Sequence, residues 1–193
     1  VQHVMRRETF RKPGGSAATR RRLYLMASVH LILGGARSGK SRHALAASKR
    51  LQGPHRFIAT AQAHDSEMKE RIQKHREERD EHWRTIEAPI ELAHTIASLD
   101  DGTILVDCCT LWLSNVMLAE RDVGSDTTAL IDSITCATAD IVLVSNEVGS
   151  GIVPETKLGR DFRDEQGRLN QRLAELADTV ELVVAWIPLR LKG

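Results

Sequence analysis

Aromatic residues are scarce in this chain. Three Trp, three Phe and one Tyr make up 4% of its 193 residues. That excludes the row of stacking rings on which single-stranded nucleic acid is held. Long hydrophobic runs are lacking too, and none approaches the roughly 18 apolar residues of a membrane-spanning helix. Cysteine is sparse, and two of the three, Cys108, Cys109 and Cys136, are adjacent. An odd count with an adjacent pair gives neither a disulfide framework nor metal-ligand spacing. Reduced thiols and a cytoplasmic protein are therefore expected. A surplus of one charge sign is also absent, since the formal net charge is +1. That charge is uneven. Residues 1–25 hold seven of the 27 bases and one acid, Glu8, of 26, so the remainder carries 20 bases and 25 acids, a net of −5. A body of that sign is a poor nucleic-acid binder.

What is present begins with an ordinary hydrophobic share, 41%, in a length suited to one domain. Residues 1–25 read as a disordered basic extension. Arg6-Arg7, Arg11-Lys12 and Arg20-Arg21-Arg22 surround Pro13-Gly14-Gly15-Ser16 without any apolar period. A transit peptide shares that Arg-rich, acid-poor composition, whereas a secretory signal needs an apolar core of roughly 7–15 residues. Residues 26–193 are expected to form a single α/β domain, with Met26 just ahead of the first strand.

The organising stretch is Gly34-Gly35-Ala36-Arg37-Ser38-Gly39-Lys40-Ser41. It fits the phosphate-binding pattern G-x-x-x-x-G-K-[ST] without a mismatch. An apolar run, Val29 to Leu33, precedes it as a strand, and Arg42 to Leu51 follows as a helix. Gly34 and Gly39 allow backbone torsions that other residues resist. Amide groups of the loop and the helix N-terminus then attract phosphate. Lys40 would reach the β- and γ-phosphates, and Ser41 would place its hydroxyl on Mg²⁺.

Beyond Gly53-Pro54, His55 to Thr60 reads as a strand, with Thr60, Ala61 and Gln62 at its carboxyl end. Strands alternating with helices imply a parallel sheet that binds ligands at those ends. His64 to Arg79 is a charged helix with a thin stripe of Met68 and Ile72, and an i, i+4 ladder of Glu67, Arg71, His75 and Arg79. His82 to Glu87 is a short strand, and Pro89 to Leu99 a helix. Thr103 to Asp107 is a buried strand ending in an acid, which has the form of a Walker B element whose Asp helps hold Mg²⁺ through its water shell; the alternative is a strand-capping Asp, and a phosphate loop on a neighbouring strand would strengthen the first reading. A helix is expected over Thr110 to Arg121, broken at Gly124-Ser125-Asp126, and another over Thr127 to Thr138. A buried strand over Asp140 to Ser145 ends at Asn146-Glu147-Val148-Gly149. A long helix over Thr156 to Asp178 buries Phe162, Leu169, Leu173 and Leu176, and Val180 to Trp186 is the last strand.

With these pieces in place, the chain resembles the bifunctional adenosylcobinamide kinase / adenosylcobinamide-phosphate guanylyltransferase family of cobalamin assembly. The resemblance runs from about Leu31 to Trp186. It rests on the loop and its Ala36-Arg37-Ser38 insert, on Ile58-Ala59-Thr60-Ala61-Gln62, and on Arg71-Ile72-Gln73-Lys74-His75 with Arg79, Trp83, Thr85 and Glu87 following. It rests also on Asn146-Glu147-Val148-Gly149 with Gly151-Ile152-Val153-Pro154-Glu155, Phe162-Arg163-Asp164 and Gly167-Arg168-Leu169-Asn170-Gln171. Three features depart from the family: Asp80 in place of Pro, a short segment between Asn115 and Asp140, and residues 1–25.

The resemblance implies a P-loop NTPase fold of recombinase type, a three-layer sandwich around a mostly parallel sheet, assembled as a homotrimer. It implies phosphorylation of the aminopropanol hydroxyl of adenosylcobinamide by ATP or GTP. GMP then passes from GTP to that phosphate through a GMP–histidine intermediate, giving adenosylcobinamide-GDP. By position the histidine is His75, and Lys40 is the other catalytic group. The nucleotide contacts are residues 34–41, namely Gly34, Gly35, Ala36, Arg37, Ser38, Gly39, Lys40 and Ser41, with Thr60, Ala61, Gln62, Arg76, Glu77, Glu78, Arg79, Glu87 and Asp107. Ser41 and Asp107 are the expected Mg²⁺ ligands. The partners are a corrinoid and nucleotides.

Imidazole suits this chemistry because it is neutral near pH 7, with an unperturbed pKa of roughly 6.5, and it can leave again. Arg71, Lys74, Arg76 and Arg79 would disfavour its protonated form. From spacing alone His75 is one of eight histidines, with His64 and His82 as neighbours; the family position selects it. Glu147 is a candidate acceptor base, and its alternative role is a turn contact. Arg37 could meet the γ-phosphate or the acceptor. Two other functions compete: a different small-molecule P-loop kinase with no covalent intermediate, and a nucleotide-dependent switch ATPase.

Overall fold

The computed structural model describes residues 27–62 and 82–193. The expected helix His64–Arg79 and the basic extension lie outside the described residues.

A seven-stranded sheet organises the chain. Its strands are β1 (Val29–Gly34), β2 (His55–Ala59), β3 (Trp83–Glu87), β4 (Thr103–Asp107), β5 (Asp140–Asn146), β6 (Thr179–Val184) and β7 (Ile187–Lys192). They lie in the order β3-β2-β4-β5-β1-β6-β7. Every pairing is parallel except β6 with β7. The runs are apolar on both sides because both faces of a parallel sheet are covered. Alternation assigns neighbours to opposite faces. Leu31, Ile58, Ile104, Val106, Ile141 and Leu143 pack on one face with α2 (Leu92–Ala97), α3 (Cys109–Leu118), α4 (Val123–Thr135) and α5 (Lys157–Leu176). Ile32, Phe57, Leu105, Val142 and Val144 pack on the other with Ala44 and Leu45 of α1 (Lys40–Ser48). The expected layered α/β arrangement is present.

The amino end of β1 is pinned by two carboxylates. Asp140 accepts from the Ser28 N–H at 2.8 Å, and Asp178 accepts from the Val29 N–H at 2.8 Å. The opposite, carboxyl ends of the strands carry the loops with polar and glycine residues.

Three expectations need correction. The last strand stops at Val184, not Trp186, and the chain returns as β7. The turn is Ala185-Trp186, with φ of 49° and 71°. Such a two-residue hairpin turn normally advertises itself by Asn or Gly, and neither is here. Second, Gly124-Ser125-Asp126 does not break a helix but begins one. The Asp122 side chain caps α4 by accepting from the Ser125 N–H at 2.8 Å, while α3 ends earlier, before Glu120 at φ 53°. Third, β5 lies between β4 and β1, so the strand of Asp107 does not neighbour the strand of the loop.

Candidate functional site

The loop from Gly34 to Ser41 joins β1 to α1 at the carboxyl edge. Gly39 sits at φ 97° and Arg37 at φ 56°, both left-handed, which turns successive amides inward. The first bond of α1 runs from the His43 N–H to the Gly39 carbonyl at 3.0 Å. The Ser41 and Arg42 amides precede it and, among the described residues, have no backbone partner, and no side chain of those residues caps the helix. An anion therefore meets preset donors at the positive end of the helix dipole. Lys40 Nζ donates to the Gly35 carbonyl at 3.1 Å, so its ammonium lies over the loop. Gly35, Ala36 and Arg37 are exposed, and Ser38 is buried.

Long-range contacts hold this loop. A Cβ on Gly34 would stand 2.5 Å from Ser38 Oγ and 2.7 Å from the Val183 carbonyl oxygen. The Glu147 N–H donates to the Gly34 carbonyl at 3.2 Å, and the Trp186 N–H donates to the Ser38 carbonyl at 2.9 Å. Below α1, Glu181 of β6 accepts from His43 at 2.7 Å and from His30 at 3.0 Å, and Arg190 stands 3.3 Å from its other oxygen. Burial alone would raise the Glu181 pKa, but the His43 hydrogen bond, the His30 charge and Arg190 outweigh it and hold the carboxyl below its ordinary value. Burial pulls His30 below its ordinary value despite Glu181 beside it. No sequence signal announces this cluster, since 138 residues separate His43 from Glu181.

Asp107 ends β4 and is half-buried. Beside it, Thr60 turns its hydroxyl inward. Thr60 Oγ1 donates to the Cys108 carbonyl at 2.8 Å and accepts from the Cys108 N–H at 2.9 Å. Asn115 donates to the carbonyls of Thr60, at 2.8 Å, and Pro89, at 3.0 Å. Thr60 thus ties β2 to β4 and orients Ala61 and Gln62, which are half-buried. Sequence reasoning placed Thr60 at the site but gave its hydroxyl no such role.

Asn146 and Glu147 rest on a buried polar network. Asn146 receives its N–H partner from Thr110 Oγ1 at 2.7 Å and its carbonyl partner from Asn170 at 2.9 Å. Ser145, Gln166 and Asn170 interlock behind them. The Glu147 carboxylate accepts from the Gly149 N–H at 2.7 Å, a turn contact at the loop's edge. Glu87 ends the edge strand β3, four strand spacings or about 19 Å from β1, so the structure does not bring it to the phosphate loop. His75, Arg76, Glu77, Glu78 and Arg79 lie outside the described residues.

Burial lifts the Cys108 thiol to about 11 and raises that of Cys109 further, which makes both inert structural groups. Among the described residues no three His, Cys, Asp or Glu side chains could hold a metal ion. Mg²⁺ asks less, since one or two carboxylates, water and substrate phosphates complete its shell. The Ser41 hydroxyl and the Asp107 carboxylate are hard oxygen donors and fit that requirement. Among the described residues no helix is long and apolar enough to cross a membrane.

Comparison with known proteins adds three relatives and a family. Residues 30–191 match the CobU family, described as cobinamide kinase / cobinamide phosphate guanyltransferase. The chain is similar to the bifunctional adenosylcobalamin biosynthesis protein CobP of Pseudomonas aeruginosa, at 47% identity over 84% of this chain and 96% of that protein. The proteins named CobU of Salmonella typhimurium and Escherichia coli are 43% and 40% identical, each over 84% of this chain and 98% of the relative.

Proposed function

The chain belongs to the cobinamide kinase / cobinamide phosphate guanyltransferase family of transferases, and on that premise we propose how its residues divide the two reactions. In the first, the loop from Gly34 to Ser41 holds a nucleoside triphosphate, ATP or GTP. The aminopropanol hydroxyl of adenosylcobinamide attacks the γ-phosphorus, its proton is lost, and the nucleoside diphosphate leaves. This chemistry is mostly positioning and charge neutralisation. The Ser41 and Arg42 amides and Lys40 bear the phosphate charge, and Glu147, tied to Gly34 through its N–H, is the candidate proton acceptor. Mg²⁺, held by Ser41 and by Asp107, would neutralise phosphate charge when bound.

In the second reaction a neutral His75 imidazole nitrogen attacks the α-phosphorus of GTP. The bond to the bridging oxygen breaks and pyrophosphate departs. A phosphate oxygen of adenosylcobinamide phosphate then attacks the same phosphorus, the imidazole leaves, and adenosylcobinamide-GDP results. Arg76, Glu77, Glu78 and Arg79 accompany His75 in sequence and Glu87 follows; their nucleotide contacts belong to this reading, as do a homotrimer, a cytoplasmic location and a single domain over residues 26–193.

The observation that carries the reading is the loop itself, with donors preset at the start of α1 and Lys40 folded over them. The test is incubation with α-³²P-labelled GTP and Mg²⁺, followed by denaturing electrophoresis. Wild type should show an acid-labile, alkali-stable label that His75→Ala lacks. An unlabelled but GTP-binding wild type would leave a P-loop kinase without a covalent step.

A further inference from the structure

The chain has three tryptophans, and only one is open to solvent. Trp112 is 1% exposed and Trp83 is 9% exposed, whereas Trp186 is 58% exposed. Trp186 also has an uncommon backbone for a bulky residue. It takes φ 71° after Ala185 at φ 49°, in a turn where Asn-Gly is the favoured pair. A bulky residue in the left-handed region is an outlier, and such outliers cluster at ligand sites.

The position of the ring supplies a reason. The Trp186 N–H bonds the Ser38 carbonyl, and the indole lies against Gly39, where an added Cβ would come within 2.9 Å of two ring atoms. The Arg42 guanidinium stands 5.0 Å from the ring centroid. The ring thus flanks the first turn of α1, beside the Ser41 and Arg42 amides that await phosphate. A nucleoside extending from that phosphate track on this side of the helix would meet an exposed aromatic surface, already paired with a cation.

We propose that the exposed indole of Trp186 is the stacking surface for the purine base of the nucleotide whose phosphates occupy the loop from Gly34 to Ser41. The inference rests on the reading of that loop as a nucleotide site. Stacking accepts any purine, because every base has a π-face. The site therefore takes adenine and guanine nucleotides alike, and hydrogen bonding elsewhere would have to choose between them.

The full-length chain is titrated with GTP, ATP and inorganic tripolyphosphate in the presence of Mg²⁺, by tryptophan fluorescence and by calorimetry. Both nucleotides should quench Trp186 emission, and tripolyphosphate, which has no base, should not. Trp186→Ala should raise the Kd for GTP and ATP by about fivefold to a hundredfold and leave that for tripolyphosphate unchanged. Trp186→Phe should retain nucleotide affinity. Trp186→Gly suits a φ of 71° and keeps the hairpin, so it should show the same selective loss as the Ala variant. Equal weakening of tripolyphosphate and GTP would overturn the proposal, because the indole would then only shape the loop. Unchanged GTP affinity in the Ala and Gly variants would overturn it as well. A folded wild type that binds neither nucleotide nor tripolyphosphate would instead remove the nucleotide reading, and the stacking surface with it.

Discussion

Replacing Glu181 by Gln tests whether the loop helix is held by charge. The side chain keeps its volume and loses its negative charge. In the native protein one oxygen accepts from both His30 and His43, and the other faces Arg190. A glutamine that turns its NH₂ toward the arginine sets donor against donor, and one that turns it toward the histidines requires both rings to change tautomer so that Nε2 accepts. Hydrogen bonds to charged groups are each worth about 1.5–3 kcal/mol, and an orphaned buried donor costs about 1–3 kcal/mol. Part of this is recovered by the remaining neutral bond, so the net loss should be about 2–4 kcal/mol. For a domain of this size that lowers Tm by roughly 5–15 °C. Thermal and urea unfolding, followed by far-UV circular dichroism between pH 8 and pH 4, measure it. The pH course has a definite sign. His30 is depressed, so the unfolded chain binds more protons below about 6.5, and stability falls as pH drops through that value. The variant lacks Glu181, the one group that raises His30, so the gap to wild type should widen from pH 7 to pH 5. Glu181 is itself depressed. Its contribution is complete above the ordinary carboxylate range and is lost as pH falls through its folded value, so below about 4.5 the gap should close. A variant within about 0.5 kcal/mol of wild type at pH 7 would refute the charge account, as would a gap that closes between pH 7 and pH 5.

Two further outcomes follow from packing and burial. Gly34→Ala should cost about 1–3 kcal/mol in urea unfolding and weaken tripolyphosphate binding, because the Val183 carbonyl belongs to β6 and cannot swing aside as Ser38 Oγ can. Wild-type values on both measurements would show that the approach of β1 to β6 is not tight. Iodoacetamide at pH 7.5 should modify only Cys136 in the native protein, since Cys136 is exposed while Cys108 and Cys109 are buried, and a thiol held up at about 11 is almost wholly protonated there. Intact mass should show one adduct native and three after denaturation; equal rates at all three native cysteines would contradict the burial.

The phosphate loop was legible because its conformation is dictated by residue type. Gly39 occupies a torsion that other residues resist, and the motif names the residue needed at each step. The buried strands were legible because a parallel sheet leaves near-continuous apolar runs, as in Ile104-Leu105-Val106 and Ile141-Val142-Leu143-Val144. The hairpin was not, because Ala185-Trp186 continues the apolar run of β6 and the turn lacks the usual residues. The start of α4 could have been read from Asp122 as a cap three residues ahead of Ser125, yet Gly124 suggested a break. Strand order is set by packing, not by local pattern, so the insertion of β5 between Asp107 and the loop left no trace in sequence. The inward turn of the Thr60 hydroxyl is likewise a contact between residues 48 apart.

Two kinds of contact hold the loop, and they respond differently to the surroundings. The Trp186 and Glu147 bonds to Ser38 and Gly34 are backbone to backbone, so neither side-chain chemistry nor pH alters their partners. The Glu181 contacts with His30, His43 and Arg190 depend on protonation. Only acid strong enough to protonate the Glu181 carboxylate, which is held below its ordinary value, removes the charge that anchors α1, while the loop backbone keeps its frame. The Ser41 and Arg42 amides belong to α1, on the charge-dependent side of this division, whereas the Ser38 carbonyl belongs to the frame. Trp186 spans both, with its N–H on Ser38 and its ring on Gly39 and Arg42. The backbone bond to Ser38 is thus supplied by a hairpin close to the carboxyl end of the chain, and the frame of the loop depends on β6 and β7 as well as on the loop's own glycines.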